Sequence, residues 1–161
     1  MIEDVENGDL YGDTDSLVEL LTAPWLADPK IAGRLNRAGG ARGIYSLPST
    51  MKKPMPCIMV TVRSLNGDSR ISGPGVYRPD LDVAVRHRIP TVASAILIRI
   101  AEKFRMPEIV REPLANADWI INGFRILDPN VPVQSIETTE GSYFEATGEA
   151  SLRALRKPEP E

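Results

Sequence analysis

Two short apolar alternations, the second running almost directly into an amphipathic helix, constrain this chain more than any other feature. Between Cys57 and Arg63, residues Ile58, Val60 and Val62 fall on one face of a β-rich segment. From Val76 to Arg88, Leu81, Val83 and Val85 alternate with Asp82, Ala84 and Arg86, the pattern of a half-buried strand. Pro90 then opens a helix at its first turn. Within it Val92, Ala93, Ile96, Leu97, Ile100, Ala101 and Phe104 recur at helical spacing until Met106-Pro107 stops it. The two strands predict an antiparallel hairpin whose long tip, Leu65 to Arg78, carries Asn66-Gly67-Asp68 and Gly73-Pro74-Gly75 as turn signals.

The flanking segments extend this plan. Ser16 and Glu19 have the spacing of a capping box, with Leu17, Leu20 and Leu21 on one face of a short helix that Pro24 ends. Trp25 and Leu26 are expected against the core, Lys30 to Ala38 as a further helix, and Ile44 to Leu47 as a short strand. Pro48, Pro54 and Pro56 frame an extended loop. A strand is predicted at Trp119 to Leu127, with Gly123 at a bulge or close approach. Val131 to Ile136 reads as a short strand. The last strand runs from Ser142 to about Arg153, with Phe144, Ala146, Gly148, Ala150 and Leu152 on one face. The fold class predicted is α+β, a mainly antiparallel sheet of about four to five strands with helices packed on one face. The 161 residues fit one domain: a flexible acidic arm at 1–13, the α+β domain at 14–155, and a disordered tail at 156–161.

Little in the composition points to catalysis. His87 is the sole histidine and Cys57 the sole cysteine, so no disulfide, zinc cluster or triad is signalled. Arg86 and Arg88 flank His87 and disfavour its imidazolium. Asp80 and Asp82 share a strand face, where paired carboxylates can bind metal or move protons; two acids on an exposed strand face are the commoner reading. The glycines at 39, 40, 43, 73 and 75 lack the Lys-Ser/Thr that a phosphate loop needs. No cofactor is expected. The acidic N-terminus is unlike a signal peptide. Ala95-Ile96-Leu97-Ile98 is far short of a membrane span of roughly 18 residues. A soluble protein, made inside the cell, is expected.

Charge is segregated along the chain. Residues 1–28 hold eight acids and no Lys or Arg, while residues 29–67 hold seven bases and no acid. Such runs fit solvated faces, and they equally fit opposite patches meeting across subunits. On the second reading the candidate interface residues are Arg34, Arg37 and Arg42 against Asp13, Asp15 and Glu19. The hairpin tip, with Arg70, Ile71, Tyr77 and Arg78, is either a docking element or a floppy loop. The net charge of −3 and 6% aromatic content do not fit strong nucleic-acid binding.

The element order resembles a known family. A capped N-terminal helix is followed by a Pro-framed strand (Pro54-Met55-Pro56-Cys57-Ile58-Met59-Val60), a long hairpin, a second strand (Leu81-Asp82-Val83-Ala84-Val85), a helix (Thr91 to Phe104) and two closing strands. Over residues 14–155 this layout is similar to the tail-terminator proteins of long-tailed bacteriophages, and to the wider group of small head–tail and tail-completion proteins. The basic stretch 33–43 has no counterpart. The resemblance implies a structural virion protein without catalytic residues, assembled in the host cytoplasm. It implies a ring, usually a hexamer, that caps the tail tube, meets the head-completion proteins and lets DNA pass without specific binding. The alternatives are another neck or tail subunit, head-closure or tail-tube, and, in a different class, a small enzyme or ligand-binding domain using His87 and Asp80/Asp82.

Overall fold

The computed structural model describes residues 2–47, 54–65, 76–105, 114–127, 133–139 and 141–157. In chain order the elements are helix α1 (Ile2–Leu26), the one-turn helix α2 (Pro29–Ala32), a 3-10 turn (Ala38–Gly40), and strands β1 (Ile44–Leu47), β2 (Cys57–Ser64), β3 (Val76–Tyr77) and β4 (Asp80–His87). Helix α3 (Pro90–Arg105) follows, then strands β5 (Leu114–Ala115), β6 (Trp119–Leu127), β7 (Gln134–Thr138) and β8 (Gly141–Arg156). The class is α+β, as expected.

The strands form one sheet in the order β1-β2-β4-β8-β6-β5, with β3 and β7 also paired to β8. The 16-residue β8 is its spine. One edge of β8 pairs β4, from Asp80↔Ser151 to His87↔Phe144, and then β3 at Val76↔Leu155. The other edge pairs β6, from Trp119↔Arg156 to Leu127↔Glu149, and then β7. All these ladders are antiparallel; β1 alone runs parallel to its partner, with Ile44 opposite Ile58. The expected hairpin is present as the antiparallel β2–β4 pair, Ile58↔Val85 and Val60↔Val83. Residues 66–75 of its tip lie outside the described residues.

The sheet has eight strands where about four to five were expected. One cause is Pro79: it has no N–H for a ladder, so the predicted 76–88 strand is split into β3 and β4. The Pro79 carbonyl still accepts from the Leu152 amide at 3.0 Å, which keeps both pieces on β8.

One face of the sheet carries Ile58, Val60, Leu81, Val83, Val85, Ala146, Ala150, Leu152 and Ala154, all buried. Against it α3 places Ala93, Ile96, Leu97 and Ile100. The helix comes close because β8 presents a small-residue row, Ala146-Gly148-Ala150, beneath it. A Cβ added to Gly148 would sit 3.3 Å from Leu97 Cδ1. Helix packing departs from the expected layer on one face. Helix α3 lies over β4, β8 and β6, in the middle of the sheet, while α1 touches β1 at one edge and β5 and β6 at the other. The sheet therefore curls around α3 and α1 spans its mouth, burying Leu17, Val18, Leu21 and Trp25. Strand twist accumulated along a spine this long favours that curl.

Helix α1 also corrects the local reading at its start and end. It begins at Ile2, reaching back through the segment assigned to an arm, and it continues through Pro24 to Leu26. A proline this near the C-terminus removes a single intrahelical bond and leaves only two helical residues beyond it. Ser16 is therefore inside the helix and caps nothing; its hydroxyl donates to Asp118 Oδ2 at 2.9 Å. The Lys30–Ala38 helix is reduced to the turn Pro29–Ala32, N-capped by Asp28 through the Lys30 amide. Gly123 follows a bulge in β6 as expected, and its Cβ would come within 3.0 Å of Arg153 Cβ. Strand β8 continues to Arg156, past its expected end, with the Arg156 guanidinium 5.3 Å over the Trp119 ring.

The Gly148–Leu97 contact makes a direct prediction. Gly148→Val adds methyl groups where even a Cβ is tight, so it should destabilise the fold by about 2 kcal/mol. Urea denaturation of the two proteins checks this, and an unchanged midpoint would show that α3 is not seated on the spine.

Candidate functional site

Three of the expected interface residues, Arg42, Glu19 and Asp15, already have partners within the chain. Arg42 Nη2 lies 2.9 Å from Glu19 Oε1, with both side chains exposed. The Ser46 hydroxyl donates to Asp15 Oδ1 at 2.8 Å. These contacts tie the middle of α1 to β1. Asp13 is within α1, but its side chain lies outside the described residues, as do Arg70 and Ile71 of the hairpin tip. Tyr77 packs edge-on against Trp119, with ring centroids 5.7 Å apart. Arg78 is exposed, and its amide donates to the Leu65 carbonyl at 3.2 Å, closing the base of the hairpin.

The catalytic alternative needs His87 near Asp80 and Asp82. Odd and even positions of β4 point to opposite faces, which puts His87 on the helix-bearing side and both aspartates on the other. His87 and Asp80 also stand at opposite ends of β4, about 23 Å apart along the strand. Each has a local role. The Ser64 hydroxyl donates to Asp80 Oδ2 at 3.3 Å, and Arg63 pairs with Asp82 at 3.1 Å and with Glu149 at 3.9 Å. Arg86 donates to Glu145 at 2.9 Å and stacks over Tyr143. The helix-free face is thus a cross-strand charge ladder. Among the described residues, no three His, Cys, Asp or Glu side chains gather closely enough to hold a metal ion. No helix there is long and apolar enough to cross a membrane.

Two features escaped the sequence reading. The first is Asp28, only 5% exposed, which accepts from the Lys30 amide, from Arg99 Nε at 2.9 Å and lies 3.2 Å from Lys103 Nζ. Burial alone would raise its pKa; the hydrogen bonds from Arg99, the Lys30 amide and Lys103 outweigh this and hold it at about 2. Asp-Pro-Lys marks the cap in the sequence, but the α3 cations are too distant along the chain for a motif to show.

The second is a basic region where the segment after α2, the start of β2 and the end of β4 meet. The Asn36 amide donates to the Pro56 carbonyl at 2.7 Å and its side chain to the Met55 carbonyl at 3.1 Å, so the segment after α2 lies on the start of β2. Cys57 pairs with Arg86, placing the end of β4 alongside. The Arg34 charge disfavours the protonated form of His87. Lys30, Arg34, Arg37 and Arg88 are all exposed. Arg34 Nη1 donates to the Lys30 carbonyl at 3.0 Å. His87 Nδ1 accepts from the Ile89 amide at 3.0 Å, which fixes its neutral form at the start of α3.

No family model matches the chain, and no curated protein matches it. One solved structure, of a protein whose name states no function, aligns over 94% of this chain and 98% of its own at 14% identity, with a TM-score of 0.46. A likeness of that size carries no functional argument.

Two titrations follow from these environments. Burial, then the Arg34 charge, push the His87 pKa below its ordinary value. Its contribution to stability is therefore full above the unfolded value of about 6.5 and lost as pH falls through the lower folded value. An NMR titration should place its midpoint below ~6.5, and Arg34→Ala should raise it; a midpoint at or above that value contradicts the geometry. Asp28 has the depressed carboxylate case, with stability present above about 3.9 and lost as pH falls through about 2. Asp28→Ala leaves two cations without their buried partner and should cost about 3 kcal/mol near neutrality. In urea unfolding, that difference should narrow as pH is lowered from ~5 toward ~2.

Proposed function

We propose that this chain is a structural subunit at the head–tail junction of a tailed bacteriophage, a tail terminator that assembles as a ring on the end of the tail tube. The observation that carries the assembly reading is the open strand order. Among the described residues, β1 and β5 each have one strand partner, and they are unlike: β1 is four residues long and parallel to its neighbour, β5 is two residues long and antiparallel. Open edges of this kind are natural templates for another chain. Because the two edges differ, a contact that joins one edge to the other between copies is head-to-tail, and a head-to-tail contact either closes a ring or grows a filament.

The phage position rests on the resemblance in element order. What supports it further is that β2, β4, α3 and β8, the elements that carry the likeness, form the central part of the sheet and its helix. The catalytic alternative is weaker because its three residues are split between faces. Particles assembled without this chain test the reading by electron microscopy. Tails of uncontrolled length are expected. Particles with normal tails joined to heads would contradict it; normal-length tails left unjoined would favour a head-closure role.

A further inference from the structure

We propose that the basic region around His87 is a docking surface for an acidic segment of a partner protein, one that also brings an apolar side chain to Ile89. This does not rest on the ring reading. Two stretches of chain build the surface. Helix α2 packs against α3 and carries Lys30, with Arg34 one turn later and Arg37 beyond it. The end of β4 supplies His87, and Arg88 and Ile89 lead from it into α3. Lys30, Arg34, Arg37 and Arg88 are all exposed, and none has an acidic partner among the described residues.

The stretches that form this surface supply no counter-charge of their own. Residues 29–67 hold no acid, and neither do residues 87–101. Asp28, the acid nearest in the chain, is buried against Arg99 and Lys103, and Glu145 is paired with Arg86. The first turn of α3 has no acidic residue, so the positive end of its dipole adds to the same field. The surface is also held in place. Arg34 Nη1 donates to the Lys30 carbonyl, Asn36 donates to the Met55 and Pro56 carbonyls, and the Ile89 amide donates to His87 Nδ1. Groups fixed this way lose little freedom when a partner meets them.

A nucleic-acid backbone is the competing occupant, and Ile89 decides between the two. It is 51% exposed, the more exposed of the two large apolar side chains that reach solvent among the described residues. A phosphate backbone has nothing apolar to set against it. A protein segment can place a Leu or Phe on Ile89 and carboxylates on the cations around it, the apolar centre and charged rim of a small interface. Residues 29–37 and 86–90 contain no Phe, Trp or Tyr, so they give stacked bases no platform. A patch this small docks weakly, and its charged rim makes the docking sensitive to salt.

Fluorescence anisotropy of the full chain with three labelled probes tests this: a short peptide of Glu interleaved with Leu, a poly-Glu peptide of the same length, and a short DNA duplex. The Glu–Leu peptide should bind best at low salt. Arg34→Gln/Arg88→Gln should weaken it about tenfold. Ile89→Ala should weaken it about fivefold and leave poly-Glu binding unchanged. Circular dichroism confirms that each variant is folded, and Arg42→Gln, which removes a cation already paired with Glu19, should have no effect. No peptide binding at low salt, Glu–Leu binding no tighter than poly-Glu, or binding that neither variant moves overturns the proposal. Duplex DNA bound as tightly as the peptide, and released by Arg34→Gln/Arg88→Gln, assigns the surface to a nucleic-acid backbone and overturns it too. Sedimentation velocity covers the remaining occupant: self-association lost in the charge variant makes the surface a contact between copies, which overturns a separate partner and leaves the ring reading standing.

Discussion

The structure depends on how closely α3 can approach β8. Ala146, Gly148 and Ala150 leave the spine almost bare where Leu97 rests on it. With that distance short, Ile96, Leu97 and Ile100 reach the sheet and are fully buried, each such side chain contributing about 2 kcal/mol. A larger row on β8 would lift the helix and open gaps beside all three. The curl of the sheet and the span of α1 across its mouth follow from the same seating, because α1 closes over a trough that α3 already fills. The core is therefore one cluster contributed by all three helices and by strands β1, β2, β4, β6 and β8.

Charge in this molecule is of two kinds. Some of it is satisfied within the chain and holds elements in place. Asp28 ties the end of α1 and the start of α2 to α3 through Arg99 and Lys103, and the Arg63–Asp82–Glu149 and Arg86–Glu145 contacts lace three neighbouring strands. A solvent-exposed pair such as Arg63–Glu149 is worth little to stability, whereas the buried carboxylate of Asp28 is costly to strand. Lys30, Arg34, Arg37 and Arg88 are exposed and lie outside these pairs.

Much of the centre was legible in the sequence because its signals are local. Ile58 and Val60, Leu81, Val83 and Val85, and the helical repeat through Ile96 and Ile100 each declare an element and its buried face within a few residues. The same holds for the alternation from Ala146 to Leu152. What stayed hidden depends on partners far away in the chain. Ser16 and Glu19 match a capping box by spacing, yet Ser16 bonds Asp118 and Glu19 bonds Arg42, contacts no local pattern encodes. Pro24 reads as a stop, but lies too near the helix end to act as one. The parallel partner of β1, the splitting of the second strand at Pro79 and the curl that moves α1 from a face to the mouth are all decided by tertiary packing. Of the residues read as interface candidates from charge alone, Arg42, Asp15 and Glu19 have partners inside the chain.

A subunit with two unlike sheet edges is suited to repeating contact around an axis. Electron microscopy of the purified full chain, with class averages of the assembled species, tests that claim most directly. The account predicts closed rings of one copy number with rotational symmetry about a central opening. Twofold dimers with face-to-face contact, or open filaments with no closed species, would contradict it.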